Sequence, residues 1–557
     1  MLFDSSVVAK MLLLLLIFLL TLVVLVVTYF RQKFTYWKSK NILTLPYPSI
    51  PWGHINNPLS STTTNMGIHL MEVYQYIKFY KEIHGGIYMA STPVYVPVNL
   101  ELIKCILIKD FNHFDEKGMY YHEEAQPISA HMFQIGGEKW RRIRQKVSPT
   151  FTSGKLKGMF PIVHNCVKPM LEFVATQDVF DIKRVSADFT IDVIGNCAFG
   201  LEINSFKNEH SEFYKFGKKI FMTDTFRAFS RLCTMFFPNI CHALNIVNHY
   251  KDVEAFFTEI VTETVKLREE GKVPKREDFI NLLIELKRED KGITIQDIIT
   301  QSFLFFAAGF ETSSSAISHL LFETAQQPAI QHKIKKEIEE VLNKHNGQLT
   351  YEGIHEMTYL SQVMEETLRK YPSVTVMHRE CSRDYQVPGT NLTLEKGTLV
   401  FIPTLAIHWD DDIYPRPHVF DPERFSAEKK KEREVCSWLG FGEGPRQCIG
   451  LRFAHLQTKI ALVSLFKEYN FNLHESSRQP LTFSKAHILS SKGSIMLEKQ
   501  KWSDTNLENF LKEDRQILKE RGMKMDDILK LLQSGKIPLD SSHMELLYNK
   551  VSEEMKK

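Results

Sequence analysis

No two of the chain's eight cysteines form a Cys-x-x-Cys pair, which argues against a zinc site. Eight thiols in 557 residues are also too sparse for a disulfide framework, so the plain reading is a reducing compartment with mostly free, buried thiols. A large charge of either sign is missing as well. Basic and acidic residues number 69 and 66, a formal net charge of +3, so nothing points to nucleic acid. No Gly-x-Gly-x-x-Gly follows a strand-like run, hence no dinucleotide site of the chain's own. Internal repeats are absent, and no linker divides residues 60–500. His355-Glu356 begins like a zincin motif, but position 359 is tyrosine and the second histidine is missing.

Charge is absent altogether from Met11 to Phe30, where Thr21 and Thr28 are the only strongly polar side chains. Twenty helical residues span roughly 30 Å, the thickness of a bilayer's hydrocarbon core. The run has no small-residue cleavage site and ends in Tyr29-Phe30, followed by Arg31, Lys33, Lys38 and Lys40. This predicts an uncleaved single-pass anchor over 1–30, with the basic flank and the body on the cytosolic side. On that topology the sequon Asn391-Leu392-Thr393 is incidental, since glycosylation needs the lumen. Pro46, Pro48 and Pro51 stiffen a basic, proline-rich hinge over 31–53.

What remains, 54–502, reads as one body, mainly α with a small β portion. Thr294-Ile295-Gln296-Asp297 resembles a capping box and opens a helix reaching about Gln327. Pro328 starts a second, ended by Asn346-Gly347, and a third runs from Tyr359 to Lys370. Strands are expected at Ile87–Val96, with Pro93 at a turn or edge, and at Thr398–Ile402. Residues 503–557 form a charged C-terminal extension; a partner-binding element and a gene-model or fusion artefact are both open readings.

One cysteine departs from the bland reading. In Phe441-Gly442-Glu443-Gly444-Pro445-Arg446-Gln447-Cys448-Ile449-Gly450, two glycines and a proline favour a tight turn, and a helical pattern follows at once. A thiol near a helix amino terminus, beside Arg446, has conditions that favour thiolate. This run resembles the haem-binding loop of the cytochrome P-450 superfamily. The resemblance covers roughly 30–500 and is strongest to insect microsomal enzymes of the sixth family, through Ser148-Pro149-Thr150-Phe151-Thr152-Ser153-Gly154-Lys155-Leu156-Lys157.

The resemblance implies the cytochrome P-450 fold and haem b with Cys448 as axial thiolate to the iron. It implies monooxygenation of a lipophilic small molecule by O2, with NADPH-derived electrons from a separate NADPH-cytochrome P-450 reductase and cytochrome b5 as a second donor. The setting is the endoplasmic reticulum membrane. In Ala308-Gly309-Phe310-Glu311-Thr312-Ser313, small residues admit oxygen, and Glu311 and Thr312 form an acid–alcohol pair that delivers protons; a back-bond from Thr312 to the carbonyl four residues earlier is the structural alternative. Trp140, Arg144, Arg379 and Arg446 are implied propionate contacts, and Phe441 belongs to the cofactor loop. Glu366, Arg369 and Arg424 make a structural network under the haem. Lys429-Lys430-Lys431 with Lys139, Arg141 and Arg142 is either a solvated face or a docking face for an acidic electron donor. Selectivity is assigned to Tyr120–Phe133, Phe221–Phe237, the helix side around Phe305 and Phe306, Val374–Met377 and Ile488-Leu489. Two departures stand out: Glu116-Lys117-Gly118 replaces an Arg-Gly pair, and the chain continues past Trp502. A non-catalytic membrane haem or lipid carrier is the alternative function.

Overall fold

Thr294 begins the element around which the body is built. Its hydroxyl accepts the Asp297 N–H at 3.0 Å, while the Asp297 carboxylate accepts the Thr294 N–H at 2.9 Å. This reciprocal cap satisfies two donors that a helix start would otherwise leave bare. The helix runs Ile295–Thr324, 30 residues or roughly 45 Å, and Pro328 opens the next one, as expected. The computed structural model describes residues 5–501 apart from 56, 58–64, 209–210, 222–224, 275, 290–291 and 486–487. The extension at 503–557 lies outside the described residues.

The helices that build and cover the site are, in chain order, α1 (Ser5–Lys33), α2 (Gly137–Val147), α3 (Ile182–Ile194), α4 (Glu212–Phe221), α5 (Lys251–Glu269), α6 (Ile295–Thr324), α7 (Pro328–Lys344), α8 (Thr358–Lys370) and α9 (Leu451–Glu468). The strands are short: β1 (His84–Met89), β2 (Thr92–Pro97), β3 (Val179–Asp181), β4 (Met377–Glu380), β5 (Tyr385–Gln386), β6 (Thr393–Leu394), β7 (Leu399–Ile402), β8 (Tyr469–Leu473) and β9 (Met496–Lys501). They form sheets ordered β1-β2-β7-β4, β3-β9-β8 and β5-β6. The run expected as one strand over Ile87–Val96 is a hairpin. It turns at Ala90-Ser91, and Pro93 lies within β2 opposite Tyr88. The proline is tolerated because β2 meets β7 only at Val94 and Tyr95, so no ladder bond needs its missing N–H.

One hydrophobic core surrounds α6, and a second lies under the four-stranded sheet. Phe306, fully buried, is ringed by Phe257 at 5.1 Å, Phe213 at 5.7 Å and Phe199 at 6.0 Å. Phe305 packs on Phe279 and Phe151. Both side chains are therefore core, and the expectation that they line the substrate space is corrected.

Among the described residues α1 is the one helix long and apolar enough to cross a membrane, and its apolar stretch is exposed. The chain after it does not swing free. Trp37 is fully buried, donating from Nε1 to Ile87 O at 2.9 Å and from its backbone N to the Tyr88 hydroxyl at 3.0 Å. A Cβ on Gly86 would lie 2.3 Å from the Trp37 ring, so that glycine is required by the close approach. Lys40 and Tyr36 both bond the Glu395 carboxylate, at 2.7 and 3.1 Å.

Candidate active site

The Cys448 loop is shaped by two glycines at positive φ, Gly442 (+73°) and Gly444 (+75°). At Gly444 a Cβ would sit 2.0 Å from the Leu107 carbonyl oxygen, so both its φ and its neighbour demand glycine. The Gln447 N–H donates to Gly444 O and the Cys448 N–H to Phe441 O, each at 2.9 Å. Gly450 then caps α9. The Phe441 ring lies against His455 at 5.3 Å, outside that turn.

Of the eight cysteines, all free, Cys448 alone is exposed, yet surrounding protein strongly desolvates its thiol. The surface it shows is therefore the wall of an internal cavity. Burial pushes the thiol up, opposed by the Gly450 N–H and by the Arg144 charge. The helix-terminus N–H acts as expected, through Gly450, but the cation that favours thiolate is Arg144 rather than Arg446. Arg144, one turn after Trp140 on α2, also donates to Gln447 O at 2.8 Å.

Beneath the loop, Glu366 and Arg369 of α8 are fully buried and pair bidentately, Nε to Oε2 at 2.6 Å and Nη2 to Oε1 at 2.8 Å. Arg424 approaches the same carboxylate at 3.6 Å, and the Asp421 N–H donates to it at 2.9 Å. Arg369 further donates to His408 O and Pro417 O. His408 was invisible to sequence reasoning. Its Nε2 accepts the Leu439 N–H at 2.8 Å, so Nδ1 carries the proton and donates to Arg369 O at 3.1 Å. Burial holds it at about 3, neutral as this bonding requires. The charged network thus reaches the Cys448 loop through one imidazole.

Cations gather on another side. Arg446 donates to Asp115 O at 2.6 Å and Ile135 O at 2.7 Å, with its guanidinium 4.4 Å from the Trp140 ring. Burial and the charge of Arg379 lower it to about 9. Arg379 is buried with its Nε unpartnered, bonding only its neighbour His378 O, and burial lowers it to about 10. Lys117 is the third member. Burial and the like charges of Arg379 and Arg446 hold its ammonium well below the usual lysine range, while its Nζ lies 4.5 Å from the Phe133 ring. Asp115 and Glu116 moderate Arg446, but no carboxylate acts on Lys117 or Arg379. Converging buried cations lacking a counter-charge call for an anionic ligand. A group with carboxylates at its edge fits them, and an accessible thiol inside the molecule fits a soft iron ligand. The Lys117 signal was present in the sequence as a departure at Glu116-Lys117-Gly118, but its convergence with two arginines is a tertiary fact.

The opposite wall is α6. Ala308 is exposed, and Leu304 and Thr312 are partly so, while Phe305, Phe306 and Phe310 are buried. Positions four apart share a helix face, so Leu304, Ala308 and Thr312 make the open stripe. Gly309 has another reason for being small: a Cβ there would lie 2.4 Å from Ile194 of α3. The Thr312 hydroxyl donates to Ala308 O at 2.6 Å, the back-bond foreseen as the structural alternative. Among the described residues no hydrogen bond joins Glu311 to Thr312; burial pushes the Glu311 carboxyl up, opposed by Ser490 and by the charges of Lys183 and Lys218.

A roof joins residues 120–126 to 242–249. Tyr120 Oη donates to Ile246 O at 2.7 Å, His122 bonds His242 O at 3.0 Å with the two rings stacked 4.0 Å apart, and Gln126 pairs with the His249 backbone at 2.9 and 3.1 Å. Of the segments assigned to selectivity, Phe133, 4.5 Å from the Lys117 ammonium, is 42% exposed and Val374 37%. On the outer surface Lys139 pairs with Glu123, Arg141 with Asp115 and Lys430 with Glu365, so half of the expected basic face is already neutralised.

Comparison with known proteins agrees with this arrangement. The cytochrome P450 family model matches residues 51–498. Cytochrome P450 6a2 of Drosophila melanogaster is 42% identical over 434 residues, covering 74% of this chain and 85% of that protein. Probable cytochrome P450 6a18 of the same organism is 39% identical over 493 residues, 85% of this chain and 96% of its own length. Cytochrome P450 6a8 matches at 39% with the same coverage.

Proposed function

The chain belongs to the cytochrome P450 family, whose haem is held by a cysteine thiolate, and from that premise we propose that this monooxygenase oxidises lipophilic small molecules of the xenobiotic, insecticide or hormone-like kind. One atom of O2 enters the substrate and the other leaves as water. Two electrons come from NADPH through a separate NADPH-cytochrome P-450 reductase, with cytochrome b5 as a second donor. The body faces the cytosol from the endoplasmic reticulum membrane, held by α1.

Haem, when bound, supplies the iron and the one-electron chemistry of O2 reduction. The chain's own residues do the rest. Cys448 provides the thiolate that ligates the iron, and the glycine turn keeps its sulfur open to the cavity. Arg379, Arg446, Lys117 and Arg144 would neutralise the two propionates, with Trp140 holding the Arg446 plane in place by stacking. Phe441 braces the loop against α9. Thr312 and Glu311 deliver protons. The lipophilic preference is supported by the apolar side chains left wholly or partly uncovered, Phe133, Val374, Leu304 and Ala308.

The observation that carries this reading is an interior-facing Cys448 opposite buried cations with an orphaned Arg379 Nε. The reduced, carbon-monoxide difference spectrum of the wild type beside Cys448→Ala tests it. A strongly red-shifted Soret band, lost in the variant, is expected. A histidine-type spectrum or haem-free folded protein would overturn it. NADPH-dependent turnover with added reductase then separates an enzyme from a carrier, which would bind ligands without forming oxidised product.

A further inference from the structure

In the turn of α6 that holds Thr312, two stripes run side by side. Ala308 and Thr312 lie four apart on the open one, and Gly309 and Ser313 lie four apart on the next, about 100° round the helix. The second stripe is gripped from α9. Gln457 Nε2 donates to the Ser313 hydroxyl oxygen at 2.6 Å and, more weakly, to Gly309 O at 3.4 Å. A carbonyl oxygen only accepts, so the Gly309 contact fixes which end of the amide is nitrogen. Gln457 is fully buried and Ser313 nearly so, which keeps water from competing for either bond.

Gly450 caps α9, two residues after Cys448. From there to Gln457 the helix rises roughly 10 Å, about two turns. One continuous element thus carries the thiol loop at its start and the grip on α6 two turns on. Packing against α3 holds the same stripe, since Gly309 lies so close to Ile194 that a Cβ would come within 2.4 Å.

Stability does not explain the amide. Its Oε1 is buried with no hydrogen-bond partner among the described residues, and a bare buried acceptor destabilises where an apolar side chain of similar size would not. Nor does Ser313 need it, because a serine hydroxyl inside a helix can bond back to the carbonyl four residues earlier, here Gly309 O. What the amide adds is a tie between the thiol-bearing helix and the residue beside Thr312.

We propose that Gln457 is a positioning residue, which sets the rotation of α6 against α9 and so the direction in which the Thr312 hydroxyl faces. The proposal rests on the proton-delivery role proposed for Thr312. Because Thr312 and Ser313 are consecutive on one helix, a turn of the gripped stripe moves the Thr312 stripe by the same angle. The amide carries no charge and moves no proton.

The test compares the full-length, haem-loaded wild type with Gln457→Met, Ser313→Ala, their double variant and Thr312→Ala. The urea midpoint of Gln457→Met should stand near that of wild type, so that changes in the other readings are not a loss of fold. Carbon monoxide added to the reduced protein gives an infrared stretching band that needs neither reductase nor substrate. It should shift or broaden in Gln457→Met, and in the same direction but less in Ser313→Ala. With reductase and 7-ethoxycoumarin as probe substrate, product per NADPH should fall severalfold in Gln457→Met, the lost electrons appearing as peroxide. The double variant should add little to Gln457→Met, since both changes remove one contact. A wild-type infrared band with wild-type product per NADPH in Gln457→Met would overturn the proposal, whatever the midpoint. If Gln457→Met does not fold, the same two readings in Ser313→Ala decide. If Thr312→Ala itself keeps wild-type product per NADPH, the role proposed for Thr312 fails instead.

Discussion

Removing the Glu366 side chain strands a buried cation, and the cost can be worked from the bonds it leaves open. In Glu366→Ala, Arg369 stays fully buried with its Nε unpartnered and keeps only the carbonyls of His408, Pro417 and, at 3.4 Å, Val419. Breaking a buried pair by deleting one member costs about 3–5 kcal/mol. The orphaned Asp421 N–H adds about 1 kcal/mol or more. A total of about 5 kcal/mol compares with a whole-domain stability of about 5–15 kcal/mol and corresponds to a fall of roughly 10³ or more in the folded-to-unfolded ratio. Urea unfolding followed by tryptophan fluorescence, with haem absorbance read in parallel, measures it. Glu366→Gln keeps the shape without the charge and should fall between. Because Arg369 holds His408 and His408 holds Leu439, haem absorbance in Glu366→Ala should disappear at lower urea than fluorescence changes. A variant whose midpoint converts to within about 1 kcal/mol of wild type, with the two signals coincident, would refute the reasoning.

Burial lowers His54, His84, His249 and His455 to about 4 and His131, His319 and His408 to about 3. The unfolded chain, with ordinary values near 6.5, therefore binds more protons, so stability is full above about pH 6.5 and declines as pH falls toward 4; a urea midpoint flat from pH 7.5 to 5 would contradict this. Lys117→Met should raise the thermal midpoint of haem-free protein, by relieving repulsion with Arg379 and Arg446, yet weaken haem retention. Shifts of the same sign in both assays would sink the propionate assignment. Phe306→Ala should cost about 3–5 kcal/mol while leaving the azole binding spectrum of folded protein unchanged, whereas Ala308→Phe should leave the thermal midpoint near wild type and block azole binding. The opposite pattern would mean that the open stripe of α6 is misidentified.

Legibility in the sequence followed the range of the interaction. The Thr294–Asp297 cap, the Pro328 helix start and the Glu366–Arg369 pair lie within four residues, so periodicity and spacing exposed them. The Cys448 turn was equally plain because Gly442 and Gly444 announce positive φ. Phase was harder. Leu304, Phe305, Phe306 and Ala308 fit several helical faces, and only the packing of α3 and α5 against α6 decides which face stays open. His408 and Lys117 owe their roles to partners far away in the chain, Leu439 for one and Arg379 for the other; nothing local marks His408, and the departure at Glu116-Lys117-Gly118 marks a position without naming its partners. The helix terminus beside Cys448 was local and so legible, whereas the arginine that faces its thiol, Arg144, comes from another part of the chain.

The Trp37 clasp has a consequence for encounters at a membrane. A chain tethered by a slack leash would present every face in turn to a partner diffusing in the same plane. Trp37, wedged on Gly86, and the Glu395 bonds to Tyr36 and Lys40 remove that swivel. On the anchored topology proposed above, the azimuth and tilt of the body are inherited from α1. With the redox partner proposed above, collisions would then be productive only from a narrow sector of the plane, and the orientation of that partner would become part of recognition. Loosening one indole would exchange that aim for freedom of approach.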